Sequence, residues 1–266
     1  MAHPTGALRA AVLAAPTAAI ERARPLPGEP NAVYSRARAE QEILIKTLAY
    51  FGCDVTLLEP HTDDPYACCV ADAAVVFENG AVVMRPSSMT RRAESPWLEG
   101  EFEKRDIPIA GHIASPGLLD GTEVLMAGNT AFVGVSKRGN ALGRAGFAQI
   151  ARAHGFNVIE VQLSDNVPAL RAAAGVLSAD SVVLGSPDAI DHAAFKDFKT
   201  FVTQPGDEVG AGVLNIGEHH VIADVRFPRV IGMLRKGGVV VEAIDLYDFA
   251  RIGRSPSMLV VDLKRV

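Results

Sequence analysis

The stretch LLDGTEVLMAGNTAFVGVSKRGN, residues 118–140, decides the fold. Two apolar runs, EVLM and AFVGV, flank the turn residues AGNT, which reads as a tight β-hairpin. An acid, Asp120, stands just before the first strand, and two cations, Lys137 and Arg138, just after the second. Such a pattern describes either a site for a zwitterionic ligand or ordinary solvated strand ends.

Working outward, the same unit recurs: strand, short turn, strand, helix, strand. The hairpins are ADAAVVF-ENG-AVVMRP from Ala71, TEVLM-AGNT-AFVGVS from Thr122, AAAGVLS-AD-SVVLGS from Ala172 and AGVLNI-GEH-HVIADV from Ala211. The spacing of apolar residues predicts helices starting near Glu94, Asn140, Ala189 and Pro228. These feed the strands PIAGHI, FNVIEVQL, FKTFVTQ and GVVVEAI. A fifth unit is split between the termini. MLVVDL pairs with AAVLAAP, while SRARAEQEILIKTLAYFG (35–52) gives the helix and CDVTLLEP the outer strand. Joining the termini in one blade closes a ring without exposed edges. The expected fold is a single-domain, five-bladed α/β propeller of ββαβ units over residues 1–266. The competing doubly wound sheet of βα units fits the paired strands and short turns poorly. NALGRAGF opens a helix but lacks the spacing of a phosphate loop.

With 48% hydrophobic and 21% charged residues and a net charge of −5, the chain reads as a globular protein with no membrane partner. No Lys/Arg stripe supports nucleic-acid binding. Cys53, Cys68 and Cys69 are too few and too close for a disulfide framework or a zinc site, which points to a cytoplasmic location. The N-terminal ALRAAVLAAPTAAI lacks a basic leader and is interrupted by Arg9, so it reads as a strand.

In a ring of hairpins, functional groups collect where strand ends converge on the axis. The candidates are Tyr66, Cys68 and Asp72 on the first hairpin, followed by Arg91 and Arg92. Asp120, Glu123 and Arg138 belong to the second; Asp165, Asn166, Pro168 and Ala169 precede the third; Arg254, Ser255 and Ser257 precede the last strand. Strand alternation would turn Cys68, Val70 and Asp72 to one face.

The segments ADAAVV…AVVMRPSSMTRRAE, LLDGTEVLMAGNTAFVGVSKRGN and VYSRARAEQE resemble dimethylarginine dimethylaminohydrolase, of the arginine deiminase and amidinotransferase (pentein) superfamily. The resemblance covers most of the chain in order. It implies a five-bladed propeller whose cysteine thiolate attacks a guanidinium carbon, with a histidine as acid/base and carboxylates gripping the guanidinium. Asp120 matches the carboxylate opening the family's acid-Gly-Gly-Asp motif, with Thr122 and Glu123 in place of the second glycine and the aspartate. Asp72 matches the second acid of a Glu-Asp pair whose first place is Ala71. Tyr66 falls near a further aspartate. Arg91 or Arg92, with Arg138, matches the arginines that hold the substrate carboxylate.

The histidine's place falls on Pro168 or Ala169, and the nucleophile's on Ser257 or Met258. No cysteine follows Cys69, which sets aside an ordinary member of the family. The main reading is a diverged hydrolase with altered chemistry that binds an amino-acid-like carboxylate ligand. Asp120, Ser257 and Asp72 are its catalytic candidates; Arg92, Arg138, Tyr66, Cys68 and Arg91 line its site. Cys68 is also weighed as a relocated thiolate. The alternative is a non-catalytic binding protein. No cofactor or metal is implied, and a homodimer is left open.

Overall fold

The computed structural model describes residues 5–266. The chain opens with β1 (Leu8–Ala14), α1 (Tyr34–Tyr50) and β2 (Asp54–Leu58). One unit follows as β3 (Ala74–Phe77), β4 (Gly80–Val83), α2 (Glu94–Glu103) and β5 (Ile109–His112). The next is β6 (Val124–Ala127), β7 (Thr130–Val135), α3 (Ala141–Ala153) and β8 (Asn157–Gln162). The third contains α4 (Leu170–Ala173), β9 (Ala174–Ser178), β10 (Ser181–Leu184) and β11 (Lys199–Val202). The fourth is β12 (Leu214–Gly217), β13 (His220–Asp224), α5 (Pro228–Lys236) and β14 (Val240–Ile244). The chain closes with α6 (Tyr247–Ala250) and β15 (Val261–Arg265).

These strands form five three-stranded sheets: β3-β4-β5, β6-β7-β8, β9-β10-β11, β12-β13-β14 and β15-β1-β2. In each, an antiparallel pair is followed by a parallel outer strand. The propeller expected from the hairpin periodicity is the fold observed. In the hairpin of residues 118–140, Val124 faces Val133 and Ala127 faces Thr130, leaving Gly128 and Asn129 as the turn. Gly128 adopts φ +55°, a left-handed conformation that glycine reaches without a Cβ penalty. The core lies between neighbouring blades: Phe77 and Val82 meet Val133 and Phe147, and Phe132 meets Val182 and Phe195. Asn140 caps α3 by accepting the Gly143 N–H at 2.8 Å.

Two expectations are corrected. The helix read from Ala189 is one 3-10 turn, His192–Phe195, which Asp191 caps by accepting from the Ala193 N–H. Asp191 and Asp197 favour local turns over helix, and β11 already begins at Lys199. The inner strands also start later than the sequence suggests. One-turn helices at residues 70–72, 121–123, 170–173, 208–211 and 256–258 precede β3, β6, β9, β12 and β15. Cys68, Val70 and Asp72 therefore share no strand face. Among the described residues, no helix is long and apolar enough to cross a membrane.

Where α1 packs on α6, Glu40 accepts the Asp248 backbone N–H at 2.9 Å, with both residues buried. Burial first, and then the neighbouring Asp248 charge, push the Glu40 carboxyl up to about 8. The unfolded chain releases this proton in the ordinary carboxylate range, whereas the folded chain keeps it to about 8. Raising the pH through that interval therefore favours unfolding. Denaturant titrations should show wild-type stability falling over this interval by on the order of a few kcal/mol. Glu40→Gln, which keeps the acceptor without the charge, should flatten the slope. Equal slopes in the two proteins would refute this.

Candidate functional site

The five helical turns pack together where the inner strands begin, and the charged candidates gather around them. Consecutive turns carry the chain from Asp64 to Ala73, with the Ala67, Cys69, Asp72 and Ala73 N–H groups each bonded three residues back. This coiling buries Asp72 completely. Thr122, on the turn of residues 121–123, donates its hydroxyl to Asp72. Arg91, 3% exposed, donates Nη1 to Asp72. It also donates Nε and Nη2 to Glu94 at 3.0 and 2.6 Å, and Nη2 to the Cys69 carbonyl at 3.1 Å. Of the two adjacent arginines, Arg91 faces inward. Arg92 is half-buried and its Nε has no partner among the described residues.

Asp120 and Arg138 meet each other. Arg138 donates Nη1 to the Asp120 carboxylate at 2.8 Å and Nε to the Pro168 carbonyl at 2.6 Å, and its Nη1 lies 3.9 Å from Asp72. The other Asp120 oxygen accepts the Ser87 N–H at 2.6 Å. The two hairpin ends therefore meet as an ion pair. Antiparallel pairing brings the two ends together, so acid and base satisfy one another. Lys137 instead pairs with Asp165 on the surface.

Electrostatics follow the packing. Burial opposes the Asp72 charge, but Arg91, Arg138 and Arg254 outweigh it and hold the carboxyl below its usual range. Burial and the Asp72 charge push Asp120 up despite Arg138. Burial, with a smaller push from the Asp120 charge, carries Glu123 to about 7 against hydrogen bonds donated by Ser136 Oγ at 2.9 Å and the Leu170 N–H at 3.2 Å.

Of the remaining candidates, Tyr66 is half-buried, whereas Cys68, Ala169 and Ser257 are buried. The Tyr66 hydroxyl accepts the Arg24 N–H at 3.0 Å, and the Arg254 guanidinium lies 4.4 Å from the Tyr66 ring centre. A hydrogen bond to Cys69, followed by burial, raises the Cys68 thiol well above its ordinary value. Ser257 is 5% exposed and donates its hydroxyl to the Arg171 carbonyl at 3.2 Å, with Ser255 Oγ 3.3 Å away. Ala169, at one of the two places matched to the histidine, is fully buried. Among the described residues, no group of three or more His, Cys, Asp or Glu could hold a metal ion.

Arg254, which precedes the last strand, is a third cation acting on Asp72. It is 2% exposed, and its Nε and Nη1 have no hydrogen-bond partner among the described residues. Arg171, one charge within the run PALRAAAGVL, was missed; its isolation in an apolar stretch was the available signal. A cleft of about 550 Å³ opens beside Pro168 and Leu26. It shares the walls Val209, Phe227 and Ala250 with a crevice at Arg254 that is too narrow to admit a water molecule.

Comparison with known proteins places this geometry in context. No family model matches the chain. A dimethylarginine dimethylaminohydrolase of Streptomyces coelicolor is 29% identical over 240 residues, covering 86% of this chain and 87% of the relative. That of Pseudomonas aeruginosa is 24% identical over 225 residues, covering 85% and 87%. The chain is similar to dimethylarginine dimethylaminohydrolases over most of its length. Solved structures agree on the fold. A cysteine-to-serine variant of the Pseudomonas aeruginosa dimethylarginine dimethylaminohydrolase, complexed with citrulline, superposes with a TM-score of 0.87 at 21% identity. That match covers 97% of this chain and all of the other. The N-terminal domain of the cyanobacterial arginine dihydrolase ArgZ gives 0.82 at 17% identity, covering 95% and 97%. A buried third arginine lies beside Asp72.

Proposed function

We propose that this relative of the dimethylarginine dimethylaminohydrolases binds a small, anionic, amino-acid-like ligand at the axial site and does not carry out covalent guanidino hydrolysis. Arg254 carries the reading. Asp72 and Asp120, which would grip a substrate guanidinium, already hold Arg91 and Arg138. An incoming guanidinium would meet the Arg254 cation, whereas an anionic group would meet its unbonded N–H donors. The loss of chemistry is supported by the candidate nucleophiles. Ser257 donates to a carbonyl rather than to a base, and Cys68 is held as the thiol. Without an activated nucleophile, the covalent route loses many orders of magnitude in rate.

Pure protein should form no citrulline from arginine or methylated arginines. In a thermal-shift screen, an amino acid or related small acid should stabilise it, by about 2.7 kcal/mol at a hundredfold excess over Kd. Arg254→Met should remove that increment. Citrulline formation at enzyme-like turnover, or a panel of acids with no effect on the wild type, would overturn the reading. One observation favours a second reading, hydrolysis by a non-cysteine route. Glu123 titrates near 7 and accepts the N–H of Leu170, the neighbour of Ala169, where it would serve as a base. Any hydrolysis found should then vanish in Glu123→Gln and in Ser257→Ala.

A further inference from the structure

The inner strands of all five blades line a half-open cavity of about 80 Å³ to which none of Asp72, Arg91, Asp120, Arg138 and Arg254 contributes. Apolar residues such as Val75, Leu125 and Val176 form much of its wall. Its charged groups are Arg171, Asp262 and Arg265, two cations against one anion.

The charges are unequally satisfied. Arg265 is spent: Nε and Nη2 clamp the Asp262 carboxylate at 2.9 and 2.5 Å. Its remaining bonds go to both oxygens of Asn215, at 2.8 and 2.7 Å, and to the Gly6 carbonyl at 3.1 Å. Asn215 in turn gives its amide to the Leu177 and Gly217 carbonyls, so it offers the cavity no donor. Arg171 differs. Of the five N–H donors of a guanidinium, it uses one among the described residues, to the Ser257 carbonyl. The carboxylate that most favours its charge, Asp262, already belongs to Arg265. Burial depresses the Arg171 pKa.

Sequence explains why Arg171 cannot leave. It sits in α4 between Leu170 and Ala172, both fully buried, and α4 packs against the neighbouring turns of residues 121–123, 208–211 and 256–258. A cation fixed in a largely apolar chamber with N–H donors to spare is costly unless something neutralises it. Its complement carries one negative charge, which brings the chamber to neutrality. A cavity of about 80 Å³ has room for a small ion of a few heavy atoms.

We propose that this axial cavity binds one small monovalent anion, chloride or a compact carboxylate such as formate, held by the Arg171 guanidinium between the five inner strands. The bound ion braces the last turn of the ring. Arg171 grips the Ser257 carbonyl with its side chain, and its own carbonyl accepts from the Ser255 and Ser257 hydroxyls at 2.8 and 3.2 Å. This site is independent of the one proposed at Arg254.

The test is the melting temperature of the full chain in sodium chloride, nitrate, formate and gluconate at constant ionic strength. Chloride, nitrate and formate should raise it saturably above the value in gluconate, which is too large to enter. Arg171→Met should lose that increment while melting in gluconate at or above the wild-type temperature, because a half-buried, incompletely bonded charge has gone. Wild-type crystals soaked in bromide should show an anomalous peak in hydrogen-bonding contact with Arg171, a measurement that does not depend on how the variant folds. Identical melting in all four salts, an undiminished increment in Arg171→Met, or bromide found only outside the cavity would each overturn the proposal.

Discussion

Replacing Arg91 with alanine is expected to destabilise the folded chain by about 3–5 kcal/mol near neutral pH. The figure is large because of what remains behind. Asp72 is fully buried and Glu94 is 2% exposed, and both lose the cation that faces them. Thr62 still donates to Glu94 at 2.7 Å and Thr122 to Asp72, but neither neutralises a charge. The pH dependence identifies the cause. In the wild type, the folded Asp72 carboxyl titrates below its unfolded value of about 3.8, so its contribution is present above that pH and lost as acid is added. Without Arg91, only Arg138 and Arg254 oppose the burial of Asp72, so its folded pKa rises, and that of Glu94, already raised by burial, rises further. The deficit of the variant should therefore shrink as the pH falls into the carboxylate range. Urea titrations across that range measure it. Lys137→Ala, which removes the exposed pair with Asp165, should change stability by less than about 1 kcal/mol. A similarly small loss for Arg91→Ala would mean that the buried cluster does not form.

Comparison of these two pairs shows where the sequence was informative. The hairpins were legible because Val-, Ala- and Phe-rich runs stop at ENG, AGNT, AD and GEH, and the repetition of that pattern required a closed ring. Family motifs such as RPSSMTRRAE and LDGTEVL lay in order along the same units. The one-turn helices before the inner strands were not legible. VAD, LRAA and PSM are short and merge with the apolar residues that follow, so nothing local separates turn from strand; mutual packing around the axis does. Partner choice suffered for the same reason. Whether Arg91 or Arg92 points inward depends on a turn of three residues, and a shift of one residue reverses the answer. The Asp120–Arg138 pair was within reach. Once Val124 is paired with Val133, the residues just outside the hairpin must approach, and the Asp120 N–H does bond to the Arg138 carbonyl at 3.0 Å.

The ring of turns makes its own sharp demand at Gly121. A Cβ there would fall on the Ala71 carbonyl oxygen and lie 2.8 Å from that of Ala74, so two backbones rather than two side chains would collide. Overpacking against movable side chains typically costs about 1–3 kcal/mol. Here relief requires separating the turn of residues 121–123 from that of residues 70–72, and with it the Thr122–Asp72 bond and the seat of Arg91. Gly121→Ala should therefore lose more than about 3 kcal/mol, or fail to accumulate as folded protein. Gly232→Ala provides the contrast. Gly232 lies within α5 with nothing inside 4 Å of a built Cβ, so the substitution should stabilise by about 0.5–1 kcal/mol through helix propensity. Thermal and urea unfolding of the two variants beside the wild type separates the cases. A Gly121→Ala protein that unfolds within about 1 kcal/mol of the wild type would show that the first two turns stand apart, and the axial cluster built on their contact would fall with it.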